Sequence, residues 1–214
     1  MIENAIGFVL AGGQSSRMGT DKALVELDGR PLIARALDCL RDAGLDAKIA
    51  GARSELDAFA PVVLDAEANR GPLGGICAAL AQCSEEIAIF ISVDMPLFPA
   101  FALGFLANHA ATTGRAVTLF SVNGFPQSFP AAVRRELLPA LRAELEHGAG
   151  GCIAAFHAAS QARSEPITVL PVEALAQSGH VVHPNGLPPS RWFANVNTQQ
   201  DLKRAAAWLG PEIA

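Results

Sequence analysis

The most chemically suggestive stretch of the chain is residues 10–22, LAGGQSSRMGTDK. Gly12 and Gly13 follow directly on the apolar run 6–11 (IGFVLA), which reads as a buried strand. A glycine pair at that point lets the backbone turn sharply and bring N–H groups close to a bound anion. Arg17 adds a planar fork of donors and Lys22 a mobile point charge. Gly12, Gly13, Arg17 and Lys22 together suit a triphosphate; the plainer alternative is a strand-to-helix turn whose charges face water. Two commoner phosphate motifs are excluded by spacing. Gly12, Gly13 and Gly19 do not make G-x-G-x-x-G, and Gly19 is followed by Thr20-Asp21-Lys22 rather than by the Lys-Ser/Thr of a P-loop.

A second candidate is Asp94, in Ser92-Val93-Asp94-Met95-Pro96 at the end of the most strand-like run, 87–93 (IAIFISV). In parallel α/β sheets ligands collect at the carboxyl ends of strands. A carboxylate presented there suits Mg²⁺, a hard cation that takes one or two carboxylates plus phosphate oxygens. Capping of the next turn is the competing role. Asp65 ends another expected strand, and Gly71-Pro72-Leu73-Gly74-Gly75 opens a helix soon after, offering unpaired N–H groups and close backbone approach. Helix–sheet packing would equally call for Gly74 and Gly75. Asn195 and Asn197 offer carbonyl oxygens or amides to a metal or ligand, or else form a turn. Thr198 with Asp201 has capping-box spacing, with Asp where Glu or Gln is preferred.

Other reactive residue types read more plainly. His180 and His183 sit in a Gly/Pro-rich stretch without a Cys or H-E-x-x-H partner, which favours surface polarity over zinc. Cys39, Cys77, Cys83 and Cys152 lie far apart with no C-x-x-C, as expected of reduced, buried, structural thiols in a cytoplasmic protein.

The elements that must position these residues alternate. Strands are expected at 6–11, 46–50, 62–64 and 87–93. Helices are expected at 31–43, with Pro31 in the first turn and Gly44 at the stop, and at 73–83, with a helical turn near 54–59. Strands alternating with helices imply a three-layer α/β fold with a mainly parallel sheet. Farther on, 116–122 and 129–133 are expected to pair across a loop at 123–128. A charged helix is expected at 134–146, broken at 147–151, then a strand at 166–170 and an exposed excursion at 177–190. No internal repeat and no linker divides the 214 residues, so a single domain is expected.

Composition narrows the functions. A formal charge of −5 and an isoelectric point near 5.5 argue against a broad basic face for nucleic acid. An anionic ligand must then be held by a few local cations and backbone amides. No uninterrupted apolar run of about 18 residues indicates a membrane span, and the N-terminus lacks a basic start of the secretory kind.

Four segments in this order, LAGGQSSRMGTDKALVELDGRPL, GPLGGI, SVDMP and FANVNTQQDL, resemble the molybdenum cofactor (molybdopterin) guanylyltransferase family of the nucleotidyltransferase superfamily. The resemblance runs from Gly7 to about Leu202 and is weakest over 134–191. It implies a Rossmann-like domain that binds GTP and Mg²⁺ and transfers GMP to molybdopterin, or to its molybdenum form, with release of pyrophosphate. By position, Leu10, Ala11 and Gly12 fall on the nucleotide-contacting loop and Lys22 on the family's phosphate-binding lysine. Asp65 falls on a nucleotide-contacting Asp, Asp94 on the Mg²⁺-holding Asp, and Asn195 and Asn197 on the pterin side. Transient contact with other cofactor-biosynthesis proteins or molybdoenzymes is a further expectation. Two departures stand out. Where the family commonly reads V-N-A-N-R, this chain reads Ile49-Ala50-Gly51-Ala52-Arg53, without the polar side chain. Residues 123–130 also lack the basic residue expected beside the pterin phosphate. Cytidylyl transfer to the pterin, nucleotidyl transfer to a sugar or alcohol phosphate, and a non-catalytic nucleotide-binding role are the alternatives.

Overall fold

The computed structural model describes residues 2–11, 21–51, 54–64, 70–148 and 150–210. Gly12, Gly13, Arg17 and Asp65, all candidates above, lie outside the described residues. The strands are β1 (Ala5–Leu10), β2 (Glu26–Leu27), β3 (Arg30–Pro31), β4 (Asp46–Ala50), β5 (Val62–Val63), β6 (Ile87–Ser92), β7 (Val117–Val122), β8 (Phe125–Arg134) and β9 (Thr168–Pro171). The helices are α1 (Leu32–Asp42), α2 (Gly71–Gln82), α3 (Ala100–Thr113), α4 (Leu138–Glu146), α5 (Cys152–Ala162), α6 (Val172–Gln177), the single turn α7 (Pro189–Trp192) and α8 (Gln199–Leu209).

Seven strands form one sheet in the order β5-β4-β1-β6-β8-β7-β9, and β2 and β3 make a separate small ribbon. β5, β4, β1 and β6 run parallel; β8 is antiparallel to both its neighbours, and β9 returns parallel to β7. The chain leaves β1 towards β4 and β5 on one side, then crosses back to β6 on the other. The order therefore reverses beside β1, where open α/β sheets build their ligand crevices.

β1, and β6 up to Ser92, are apolar because both faces of the sheet are covered. Val9, Ile89 and Ile91 pack with α1 and α3 on one side; Ile6, Phe8 and Phe90 pack with α2, α4 and α5 on the other. Phe8 and Phe90 stack across the strand pair with centroids 5.6 Å apart. Gly7 lets α1 lie close on β1: a Cβ there would sit 2.7 Å from Leu40 Cδ2.

Several boundaries differ from the sequence-based expectation. The loop expected at 123–128 is a two-residue turn, because Asn123 (φ 52°) and Gly124 (φ 79°) adopt the left-handed values of a tight hairpin and β8 starts at Phe125. The expected helix 134–146 starts late: Arg134 completes β8, residues 135–137 form a 3₁₀ turn, and α4 begins at Leu138. Helices α3 and α5 were not anticipated. Stretch 177–190 is mostly exposed, but Val181 and Leu187 are buried, and Trp192 Nε1 donates to Leu187 O at 2.7 Å. His183 belongs to that anchoring rather than to surface polarity: its Nε2–H donates to Leu97 O (3.1 Å), and Nδ1 accepts from the Asn185 amide (3.1 Å). His180 stacks on Phe105.

All four cysteines are free, and Cys77, Cys83 and Cys152 are buried. Burial pushes the Cys152 thiol up to about 11. Burial, with Asp42 and Asp38 nearby, pushes Cys39 up to about 12. Neither is a thiolate at neutral pH. No helix of the described residues is long and apolar enough to cross a membrane.

Candidate active site

Leu10 and Ser92 are register partners at the carboxyl ends of β1 and β6. The ladder runs past both ends: Ala11 N donates to Ala50 O (3.1 Å) and Val93 N to Leu10 O (3.2 Å). The turn after β1 and the carboxylate after Val93 therefore start from adjacent strands. Beyond Val93 the chain turns tightly, with Met95 N on Ser92 O (3.2 Å). Val93, Met95 and Leu97 are all buried, leaving Asp94 between them as the polar side chain of the turn.

Lys22 arrives on a short 3₁₀ turn, residues Lys22–Leu24, in which the buried Ala23 donates its amide to the capping Asp21 Oδ1 (3.0 Å). Its Nζ donates to Asp94 Oδ2 at 2.6 Å and to Asn197 Oδ1 at 2.5 Å. Ser92 Oγ donates to the other carboxylate oxygen, Asp94 Oδ1, at 2.5 Å. The Lys22 and Asp94 side chains are only 16% and 15% exposed, so salt screens them less than a surface pair. Asn197 is brought in by its own segment. Val196, buried, donates its amide to Asp94 O (2.9 Å), and Thr198 caps α8 in a full capping box with Asp201. The Asp201 carboxyl is held below the usual carboxylate range, chiefly by the Thr198 hydroxyl and then by the Asn197 amide.

Two clefts open on either side of Ser92. The larger, about 180 Å³, is lined by Asp94, Gln127, Ser128, Phe129, Phe193 and Asn195, with Ser92 and Met95 at its base. The smaller, about 50 Å³, lies at the ends of β1 and β4 against the start of α2 and is lined by Leu10, Ala50, Gly51, Gly71, Pro72 and Gly75. Ser92 and Phe129 border both clefts. A groove of about 240 Å³ between α2 and α4 shares no lining residue with either.

Of the residues singled out from sequence, the structure gathers Leu10, Ala11, Lys22, Asp94, Asn195 and Asn197 around this junction. Asn195 faces the larger cleft, whereas Asn197 holds Lys22. Sequence reasoning gave no role to Ser92, although it stands two residues before Asp94; it set 123–130 beside the acceptor only through the resemblance, for a missing basic residue, and gave Gln127, Ser128 and Phe129 no role of their own. Phe193, next to the quoted Ala194-Asn195, carried no signal beyond that adjacency.

The donors around Asp94 are all hard oxygens: one carboxylate, the Ser92 hydroxyl and the Asn197 amide oxygen. Among the described residues no three His, Cys, Asp or Glu side chains come together as a metal cage. One carboxylate with neutral oxygens fits Mg²⁺ shared with phosphate oxygens, and does not fit a structural zinc.

The doubly wound sheet thus carries a lysine–aspartate pair at its switch point, with Asp94 lining the larger cleft, a frame that fits a nucleotidyltransferase. Comparison with known proteins agrees. A family model described as "MobA-like NTP transferase domain" matches residues 7–163. A molybdenum cofactor guanylyltransferase of Vibrio atlanticus (strain LGP32) is 38% identical over 146 residues, spanning 65% of this chain and 74% of that one. One from Xanthomonas euvesicatoria pv. vesicatoria is 42% identical over 100 residues, 46% of this chain and 51% of that relative. The crystal structure of molybdopterin-guanine dinucleotide biosynthesis protein A from Archaeoglobus fulgidus superposes with a TM-score of 0.73 at 22% identity, over 94% of this chain and 96% of that one, which supports the fold. The chain belongs to the MobA-like NTP transferase domain family.

Proposed function

We propose that this protein transfers GMP from GTP to molybdopterin and releases pyrophosphate. The observation that carries the reading is the Lys22–Asp94–Asn197 cluster at the carboxyl ends of β1 and β6, where Asp94 lines the larger cleft and Ser92, its hydrogen-bond partner, borders both clefts. The names of the relatives support the choice of substrates, and the two clefts support the reading that follows.

The nucleotide occupies the smaller cleft, its base beside Leu10 and Gly51 and its phosphates directed towards Lys22. The small residues Gly71 and Gly75 let the backbone at the start of α2 approach it. The acceptor occupies the larger cleft, where Phe129 and Phe193 offer ring faces and Gln127, Ser128 and Asn195 offer neutral hydrogen-bonding groups to a flat heterocycle. The two ligands meet beside Ser92 and Phe129. A phosphate oxygen of the acceptor forms a new bond to the α-phosphorus. The bond from that phosphorus to the bridging oxygen breaks, and its electron pair leaves with pyrophosphate. No general base is required, because a phosphate monoester is already largely ionised at pH 7, its second pKa being about 6.

The obstacle is repulsion between two sets of anionic oxygens, so the catalytic work is positioning and charge neutralisation. Lys22 leaves Asp94 for the α- and β-phosphate oxygens as the nucleotide enters, and Arg17 meets the leaving group. Asp94, with Asn197 and Ser92 around it, would hold Mg²⁺, which when bound neutralises charge on the phosphoryl oxygens. Gly51, which brings no side chain to the base pocket, leaves cytidylyl transfer as the competing reading.

The deciding experiment is pyrophosphate release by the purified chain with molybdopterin, Mg²⁺ and GTP, CTP or ATP in turn. A kcat/KM for GTP at least about tenfold above the others is expected. A preference for CTP, or no release with any of them, overturns the reading.

A further inference from the structure

Resting on the reading of Lys22 as the phosphate-binding cation, we propose that Asp201, in the first turn of α8, is a positioning residue for the transfer reaction: its carboxylate fixes Asn197, and Asn197 fixes Lys22. Asp201 bonds to Asn197 and Thr198 and pairs with Arg204, rather than with Lys22 or Asp94. Its effect runs through the peptide that precedes its own helix.

An ordinary capping box is a reciprocal exchange between the N-cap residue and the residue three positions on. Here that exchange is complete: Asp201 N donates to Thr198 Oγ1 (3.1 Å), and Thr198 N donates to Asp201 Oδ2 (3.0 Å). The same Oδ2 also accepts from the Thr198 hydroxyl (2.8 Å) and from the amide of Asn197 (3.2 Å), one residue before the cap. That last bond adds nothing the helix needs. It does determine where Asn197 sits. The residue before it, Val196, is buried and tied to Asp94 O, so Asn197 is held from both sides: from Asp94 through Val196, and from α8 through Asp201. Its side-chain oxygen then lies 2.5 Å from Lys22 Nζ. Helix α8 is thereby connected, through Asn197, to a lysine that precedes that asparagine by 175 residues.

Loss of the Asp201 carboxylate frees the Asn197 amide and lets its side chain move off Lys22. The ammonium is then left with Asp94 alone, displaced from the position that receives the phosphates. A misplacement of about 1 Å at a reacting centre costs up to about 100-fold in rate; because Val196 still holds its end of the segment, a fall of about tenfold in kcat is expected.

The test uses the fact that the chain has only three lysines, Lys22, Lys48 and Lys203. With ¹³C-labelled lysine, the εCH₂ NMR signal of Lys22 is assigned by its disappearance in Lys22→Arg. Asp201→Ala is expected to shift that signal away from its wild-type position and to lower kcat about tenfold. Thr198→Ala removes the cap but leaves the bond from Asp201 to the Asn197 amide. It is expected to lower Tm comparably while the Lys22 signal and kcat stay at wild-type values. Asp201→Asn, which retains an acceptor oxygen, is expected to restore the signal. If Asp201→Ala does not fold, Asp201→Ser, whose oxygen is too short to reach both amides, is read in its place with the same expectation. An unmoved Lys22 signal in the folded Ala or Ser variant, or an equal shift in Thr198→Ala, overturns the proposal. The NMR arm needs no substrate, so it fails independently of the guanylyl-transfer reading, which is refuted instead by absence of turnover in the wild-type chain.

Discussion

Lys22 Nζ lies 2.6 Å from Asp94 Oδ2, across 72 residues of sequence, and the second oxygen of the same carboxylate is taken by the Ser92 hydroxyl. In this state the cation and the hydroxyl together engage both oxygens of Asp94. In the proposed reaction Lys22 serves the phosphates and Asp94 a metal ion, so arrival of the nucleotide is expected to separate the pair.

Divalent-ion binding should therefore depend on the nucleotide. Mn²⁺ titrated into the free protein and followed by electron paramagnetic resonance should bind weakly, and GTP should tighten it at least about tenfold. Lys22→Met should raise the affinity for Mn²⁺ alone by about fivefold, the equivalent of about 1 kcal/mol at the upper end of the usual range for such pairs. Tight Mn²⁺ binding to the free wild-type chain would contradict the pairing.

Ser92→Ala should leave the fold nearly intact and loosen the Asp94 carboxylate. A hydrogen bond to a charged group contributes about 1.5–3 kcal/mol; a fall of about tenfold or more in kcat follows if that orientation matters in the transition state, with Ser92→Thr restoring most of it. Steady-state kinetics alongside Tm separates this from global destabilisation.

Acid should loosen the 177–192 region before the rest. Burial lowers the His183 pKa below its ordinary 6.5, against the opposing pull of its bond to Leu97 O. Geometry agrees, since Nδ1 accepts the Asn185 amide and only a neutral ring can do so. The unfolded chain then binds a proton that the folded one resists. Stability from this group is present above about pH 6.5 and is lost as pH falls through the lower folded-state value. Thermal melts at pH 7.5 and 5.5 should show a smaller difference for His183→Gln than for the wild type.

Gly7→Ala should destabilise the protein by about 1–3 kcal/mol, the usual cost of overpacking, because the added methyl meets a fully buried Leu40 rather than a free side-chain end. Urea unfolding measures it; an unchanged midpoint would mean that α1 moves aside without cost.

What sequence could reveal depended on how local the cause was. The apolar runs of β1 and β6 were legible because a strand buried on both faces needs no alternation. The α8 cap was legible because Thr198 and Asp201 are three residues apart. The pairing of 116–122 with the strand that follows was legible, but the tight turn at Asn123-Gly124 was missed although Asn-Gly is a strong local signal, because Phe125-Pro126-Gln127-Ser128 was read as loop; those residues open β8, and Gln127 and Ser128 line the larger cleft. Helices α3 and α5 were missed because their alanine-rich, broadly apolar sequences show little amphipathic contrast. Lys22 and Asp94 could each be singled out by position relative to a strand end. Nothing local foretold that Asn197 would sit on Lys22, since that contact exists only through the tertiary arrangement of β1, β6 and α8.

The central claim is that a nucleotide with its divalent ion lodges where β1 and β6 end, between Lys22 and Asp94. Anomalous diffraction from crystals grown with GTP and Mn²⁺ tests it directly. The account predicts a manganese peak in contact with Asp94, GTP phosphates on Lys22, and loss of the peak in Asp94→Asn. A manganese–nucleotide complex bound elsewhere, for instance in the groove between α2 and α4, would contradict it.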